Sequence, residues 1–453
     1  MSSTGRKRCS ISRSALGVLC CLVLAVILGW TPAQGATEGT SGDTLLDKLY
    51  EKEILSDEEY QQLKQREEKI DKVVEQETKP GVVEREKKLD KLLKSLEGLE
   101  IGTLTYIDYS SGRKNDGDPF NEFAITRAYL NVKKTLTPWL GFRITPDAYV
   151  DTTGDQKLRL KYAYAEFQPP KLSLLTDMKS EVGIGHMPWL DFEEHVNPYR
   201  VQGTMFIERA KTFNSADVGL SIYGNFGGQL GEDYQKKVSH YYAGRWGSWH
   251  VGVYNGGGYH ASESNNNKVP EYRVSLRPLP DVLPGLQVHY FGLYGEGNKE
   301  NVSDFADYRV NLGGLTYQNE WITFLGQFAR TTGNNKGDLV VPDTDEALRA
   351  EGYSLFFNTK LPAPVEKLDR KLNAFARYDH FDPDRKDRVT SGDDSYDLLH
   401  GGLAWEFYPK CMALLVYERI MYDGNNGGLG KAPELNKNLN DDWRVQTAMQ
   451  ISF

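Results

Sequence analysis

Four cysteines occur in 453 residues, and three of them (Cys9, Cys20, Cys21) fall within the first 35. Only Cys411 lies beyond, so that part of the chain can form no internal disulfide. There is no Cys-x-x-Cys-His stretch, which excludes covalent c-type haem. Apart from Ala15 to Trp30, no apolar run approaches the ~20 residues of a membrane-spanning helix. Positive charge is in deficit: 54 Lys and Arg against 63 Asp and Glu leave a formal charge of −9, which argues against general nucleic-acid binding. Catalytic frames are missing too. The eight histidines are scattered, and neither a Gly-x-Ser-x-Gly nor an HExxH stretch is present. Tyr378-Asp379-His380 looks like a dyad, but neighbours on a strand point to opposite faces. Acidic clusters such as Asp382-Pro-Asp384 lack the spacing of a calcium loop. We therefore expect no enzyme, no metal and no cofactor.

What is present begins with a leader. Arg6, Lys7, Arg8 and Arg13 precede the apolar stretch, and Ala33-Gln34-Gly35 has the small-x-small form of a cleavage site. Residues 1–35 read as a signal peptide, whose removal takes the formal charge from −9 to −13. Residues 36–100 read as a helical arm. Ser56 with Glu59 three residues on forms a capping box, and Tyr60, Leu63, Ile70, Val73 and Val74 continue an apolar stripe. Pro80-Gly81 reads as a break. Beyond it Val82, Leu89, Leu92, Leu96 and Leu99 approach heptad spacing, the pattern of a coiled coil through which copies associate or of a solvated amphipathic helix at the mouth of its own barrel.

From Ile101 the period becomes two. About sixteen strands can be counted to Phe453, joined by alternately short and long connections. Segment 237–255 is the uncertain one, because a turn at Gly247-Ser248 would split it and spoil the even count. The last strand shows the pattern best: Trp443, Val445, Met449, Ile451 and Phe453 share one face, and Arg444, Gln446, Gln450 and Ser452 the other. A mean hydropathy of −0.54 fits a barrel, because only alternate residues meet lipid. The expected fold over 101–453 is therefore an all-β transmembrane barrel in a bacterial outer membrane, closed because lipid cannot satisfy the open edge of a sheet.

Alternation assigns apolar side chains to lipid and polar ones to the lumen. Leu140, Phe142, Ile144, Leu158, Leu160, Tyr162 and Tyr164 read as outward, with Trp139, Trp405, Tyr408, Trp443 and Phe453 as an aromatic girdle. The lumen side then collects Arg127, Lys133, Arg143, Arg159, Lys161, Arg273, Arg277, Arg309, Arg377 and Arg444. The acids placed with them are fewer: Asp147, Asp151, Glu271, Asp379 and Glu406. Bases in a low-dielectric channel favour anions. Segment 189–214 is too rich in apolar and aromatic side chains to float in solvent, so it reads as a loop folded inward. It carries Glu194, Arg200, Glu208, Arg209 and Lys211.

Several of these motifs carry a resemblance. Gly183-Ile-Gly-His-Met-Pro-Trp189, Glu194, Phe206-Ile-Glu-Arg209, Asp217-Val-Gly219, Arg127-Ala-Tyr-Leu-Asn-Val132 and Leu160-Lys-Tyr-Ala-Tyr-Ala-Glu-Phe167 resemble the phosphate-selective porin O and P family. The resemblance covers most of 101–453. It implies a sixteen-stranded trimeric porin with inward-folded loops, bathed in outer-membrane lipid and passing small anions or small polar solutes. An arginine ladder, on which phosphate selection rests in that family, is not matched residue by residue. A second expectation competes: a barrel that acts as a sleeve for a periplasmic partner such as a multihaem cytochrome, and conducts nothing.

Overall fold

The computed structural model describes residues 47, 49–52, 55–114, 117–151, 153–299, 306–362, 370–389, 394–423 and 441–453. The expected leader, and Leu45, Leu46 and Ile54 of the arm, lie outside the described residues. The chain forms two compact units, Met1–Ser95 and Leu96–Phe453.

Among its described residues, the first unit is largely one forty-residue helix, α1 (Asp57–Leu96). Its start is the expected capping box. Ser56 N donates to Glu59 Oε2 at 3.1 Å, and Glu59 N donates to Ser56 Oγ at 3.4 Å. The break read at Pro80-Gly81 is not there, because α1 runs through both residues. A lone proline removes one backbone hydrogen bond, and the turns on either side keep theirs. Leu63, Ile70, Leu89, Leu92 and Leu96 are exposed.

The second unit is a closed barrel of sixteen antiparallel strands in sequence order. They are β1 (Leu99–Arg113), β2 (Pro119–Thr137), β3 (Leu140–Val150), β4 (Gln156–Phe167), β5 (Leu175–His186) and β6 (Ala216–Phe226). Next come β7 (Gly247–Tyr254), β8 (Val269–Leu276), β9 (Leu286–Glu296), β10 (Asp307–Gln318) and β11 (Ile322–Thr332). The last are β12 (Arg349–Leu361), β13 (Leu372–Asp382), β14 (Tyr396–Tyr408), β15 (Cys411–Tyr422) and β16 (Asp442–Ser452). Strand β16 closes on β1, with Tyr106 opposite Gln450 and Ser110 opposite Gln446. An even count of up-and-down strands brings the start of β1 and the end of β16 to one rim.

Segment 237–255 is one strand after all, and a short one. Helix α4 (Glu232–Lys237) ends at its first residue, turns and irregular chain fill residues 238–246, and β7 begins only at Gly247. Gly247 sits at φ +120, where a Cβ would lie 1.9 Å from Ser275 O, so the strand can start there only with glycine.

Alternation holds on the outer face of β16, where Trp443, Val445, Met449 and Ile451 are exposed and Gln446 is buried. It fails where the register shifts and where the inner wall is apolar, and two such places move residues assigned above. In β4 the register shifts between Thr145 and Pro146, which pair with Tyr162 and Leu160 and leave Lys161 as the extra residue. Pro146 has no N–H to give to the ladder, and a bulge absorbs the defect. Lys161 and Tyr162 are therefore both buried inward, and Tyr164 follows them. The outward placement of Tyr162 and Tyr164 is thus corrected. In β10 the inner positions are Tyr308, Val310 and Leu312, all buried, so Arg309 points outward and pairs with Asp307 at 2.7 Å. Arg309 is not a lumen residue.

The lumen is apolar there because the chain fills it. The connection from β5 to β6 carries α2 (Pro188–Val196) and α3 (Phe206–Arg209) into the barrel. Trp189, Leu190, Phe206 and Ile207 are wholly enclosed, in one core with Phe291, Val310, Leu325, Phe356, Phe375 and Phe381 of the wall. Each such side chain stabilises the docked loop by about 1.5–3 kcal/mol relative to exposure. A loop with four of them stays in.

Candidate functional site

Loop residues 187–215 are tied to the wall by polar contacts at several places. Arg209 reaches Glu418 of β15 at 2.8 Å, Arg444 of β16 meets the same carboxylate at 3.1 Å, and Gln202 donates to it as well. Arg377 pairs with Asp379 and donates to Thr204 O at 2.8 Å. Arg273 donates to Pro188 O at 3.0 Å and lies 4.9 Å from the Phe192 ring centre. Trp189 Nε1 donates to Gln327 Oε1 at 3.1 Å, and Gln327 donates onward to Glu193 at 2.6 Å. Arg273, Arg377 and Arg444 therefore hold the loop in place. Arg277 grips the other connection, donating to Gly244 O at 3.2 Å and Tyr242 O at 3.3 Å.

Within the loop, Arg200 lies between two carboxylates, at 2.9 Å from Glu194 and 2.5 Å from Glu208. Burial pushes the Glu208 carboxyl up, but Arg200 beside it wins and brings it down to about 2. Glu193 is the opposite case: burial dominates and pushes its carboxyl up to about 7 against the pull of Arg377. Lys211 is exposed, on a left-handed turn (φ 57) after α3.

The remaining bases share the wall made by β2, β3 and β4. Arg127 donates to the Tyr129 hydroxyl and lies over the Tyr106 and Tyr129 rings at 5.8 and 5.2 Å. Arg143 donates to Asn131 Oδ1 at 2.9 Å and lies 4.4 Å from the Tyr162 ring centre. Arg159 pairs with Asp147 at 3.0 Å. Lys161 is buried, hydrogen-bonded to Ser215 and 4.2 Å from the Tyr259 ring centre. Lys133, Arg143 and Lys179 border a cavity of about 220 Å³ near the rim with the chain ends, together with Glu100 and Glu166. Among the described residues, Arg127, Lys133 and Arg143 have no carboxylate partner, whereas Arg159, Arg377 and Arg444 do. The bases placed in the lumen by alternation thus separate into clamps on one side and a cationic wall on the other.

Sequence reasoning missed Tyr162 and Tyr164 as neighbours of these bases, because they read as lipid-facing. It also missed the inward fold of residues 227–246, where Tyr242 lies against α2. The Tyr242 hydroxyl donates to Asp191, whose own carboxyl stays far below the usual range: burial pushes it up, but His186, His195 and this hydroxyl outweigh that.

No protein-family model matches the chain, and no curated protein matches it in sequence. The resemblance to phosphate-selective porins therefore rests on its short motifs. Solved structures do match over the barrel. An anion-selective porin from Comamonas acidovorans aligns over 78% of this chain and 99% of its own, with a TM-score of 0.54 at 10% identity. A loop-deleted form of OmpT, an outer membrane protein of Vibrio cholerae, aligns over 79% and 100% with a TM-score of 0.51 at 10% identity. The outer membrane channel DcaP of Acinetobacter baumannii aligns over 78% and 97% with a TM-score of 0.50 at 11% identity. At such identities the likeness is one of fold: this chain folds as outer-membrane porins do.

Proposed function

We propose that this chain is an outer-membrane porin that passes small anions or small polar solutes by diffusion along the β2–β4 wall. The observation that carries the reading is that Arg127, Lys133 and Arg143 have no carboxylate partner among the described residues, with Lys133 and Arg143 bordering a cavity. Uncompensated bases in a confined channel raise the local concentration of anions. The anion selectivity of the Comamonas porin supports the direction. The basic wall is a short run on neighbouring strands rather than a ladder, so the solute class proposed is small anions and not phosphate in particular.

The proposal extends to the rest of the chain. The leader directs export, helix α1 lies in the periplasm, and three copies assemble, with the exposed Leu89, Leu92 and Leu96 as coiled-coil positions.

Two other readings have less support. A sleeve needs an empty lumen, and the enclosed core around Trp189 and Phe206 leaves no room for a second protein there. A hydrolase needs an oriented base: His289 does lie 2.8 Å from Ser275 Oγ, but its other nitrogen faces Thr316 and no carboxylate.

Planar-bilayer recording of the purified protein tests the proposal. Stable conductance steps, grouped in threes, are expected. A folded barrel that inserts and never conducts would remove the porin reading.

A further inference from the structure

The barrel has an inward-folding element at each rim, and the two meet inside it. Loop 187–215 enters from the rim where β5 ends. Connection 227–246 enters from the opposite rim, between β6 and β7. Contact is made at two neighbouring positions on α2. The Tyr242 hydroxyl donates to Asp191, and the Tyr241 ring lies 3.9 Å from the His195 ring, centre to centre. Phe192, between them on α2, packs its ring 5.1 Å from that of Tyr242.

The wall grips both partners at this junction. Arg273 holds the loop at Pro188 O and lies over both rings, 4.9 Å from Phe192 and 4.7 Å from Tyr242. Just past the end of β8, Arg277 holds the connection at the carbonyl oxygens of Tyr242 and Gly244. Two buried arginines, one on β8 and one just beyond it, thus fix two segments that arrive from opposite ends. A rim connection that served only to join β6 to β7 would need two to five residues, and would bury neither Ala243 nor Leu230.

We propose that connection 227–246 is a latch for the constriction loop, with Tyr242 its positioning residue: it fixes helix α2 from the far rim, so that the constriction has two jaws. With the latch closed, α2 cannot swing away from β8 and the path along β2–β4 keeps one width. With it open, α2 keeps its contacts with the wall but loses those from the far rim, and the constriction fluctuates. The effect on conduction rests on the porin reading above. The contact itself does not.

The test separates the two. Tyr242→Phe removes only the hydroxyl, and Asp191→Asn weakens the acceptor. Hydrogen exchange of peptides covering 188–196 and 238–246 is compared with wild type in detergent-solubilised full-length protein. Roughly tenfold faster exchange in both peptides, in both variants, is expected from loss of a hydrogen bond to a charged group. In bilayers the same variants should flicker between levels where wild type is steady. As a second route, His195→Cys with Tyr241→Cys in a Cys411→Ser background should be joined by a short bis-thiol cross-linker, which should suppress the flicker of Tyr242→Phe. Unchanged exchange together with no cross-link would show that the two elements do not meet. Changed exchange with unaltered recordings would reduce the contact to scaffolding and overturn the latch. If wild type does not conduct at all, the porin reading fails while exchange still reports on the junction.

Discussion

Arg209 on the inward loop and Glu418 on β15 form a two-armed ion pair, at 2.8 and 3.1 Å, that crosses from the plug to the wall. Arg444 approaches the same carboxylate at 3.1 Å, so one buried acid holds two arginines. Removing it strands both charges away from water. Glu418→Ala should cost about 3–5 kcal/mol, the usual penalty for breaking a buried pair. It should lower the temperature at which the unheated barrel band disappears on a gel, and raise single-channel conductance as the loop loosens. An unaltered transition would mean that the loop is not clamped there.

Trp189 anchors the same loop by packing, with no exposed surface and its indole N–H bonded to Gln327. Trp189→Ala should destabilise the docked loop by about 3–5 kcal/mol. Trypsin should then cut after Arg200, Arg209 or Lys211 in folded protein, whereas wild type resists at Arg200 and Arg209. Equal digestion of both would contradict a docked loop.

Arg309 provides the opposite case. It faces outward, paired with Asp307 near a strand end. Arg309→Ala should leave ion selectivity unchanged and alter stability by about 0.5 kcal/mol or less. A shift in reversal potential on this substitution would put Arg309 back in the lumen.

The pH response of the loop should follow Glu193. Its carboxyl is raised to about 7 in the folded protein from an ordinary 4.5, because burial favours the neutral form. The folded state then binds a proton that the unfolded state has released. Stability from this group is full below about pH 4.5 and is lost as pH rises through about 7. Glu208 opposes it only in acid: its carboxyl is lowered to about 2, so its contribution is present above about pH 4.5 and lost as pH falls through about 2. Loop protection, read by hydrogen exchange of residues 187–215, should therefore weaken from pH 5 to pH 8. Glu193→Gln should abolish that trend, and a trend that persists in the variant would point to another group.

The strand count, the closure and the inward loop were legible because each depends on a local signal: alternation, turn residues, or an apolar segment with no place in solvent. The division of the bases was not. Alternation equates apolar with lipid, which is sound at Val445 and Met449 and wrong at Val310 and Leu312, whose apolar side meets a plug of the chain's own residues. Arg309 was misplaced for that reason alone. Tyr162 and Tyr164 were misplaced because a single bulge at Lys161 reverses every side chain beyond it. Which arginine clamps the loop and which lacks a carboxylate partner depends on residues far away in sequence, such as Glu418 for Arg209, and no spacing reports them.

On the proposed function, any anion preference would come from the β2–β3 bases and not from the arginine content of the lumen at large. The most direct measurement is the zero-current potential under a KCl gradient, for wild type and for Arg127→Gln with Arg143→Gln. A potential that favours Cl⁻ in wild type and moves most of the way to zero in the double variant, with the folded barrel intact, is expected. A wild-type potential that favours K⁺, or one that the double variant leaves unmoved, would contradict the proposal.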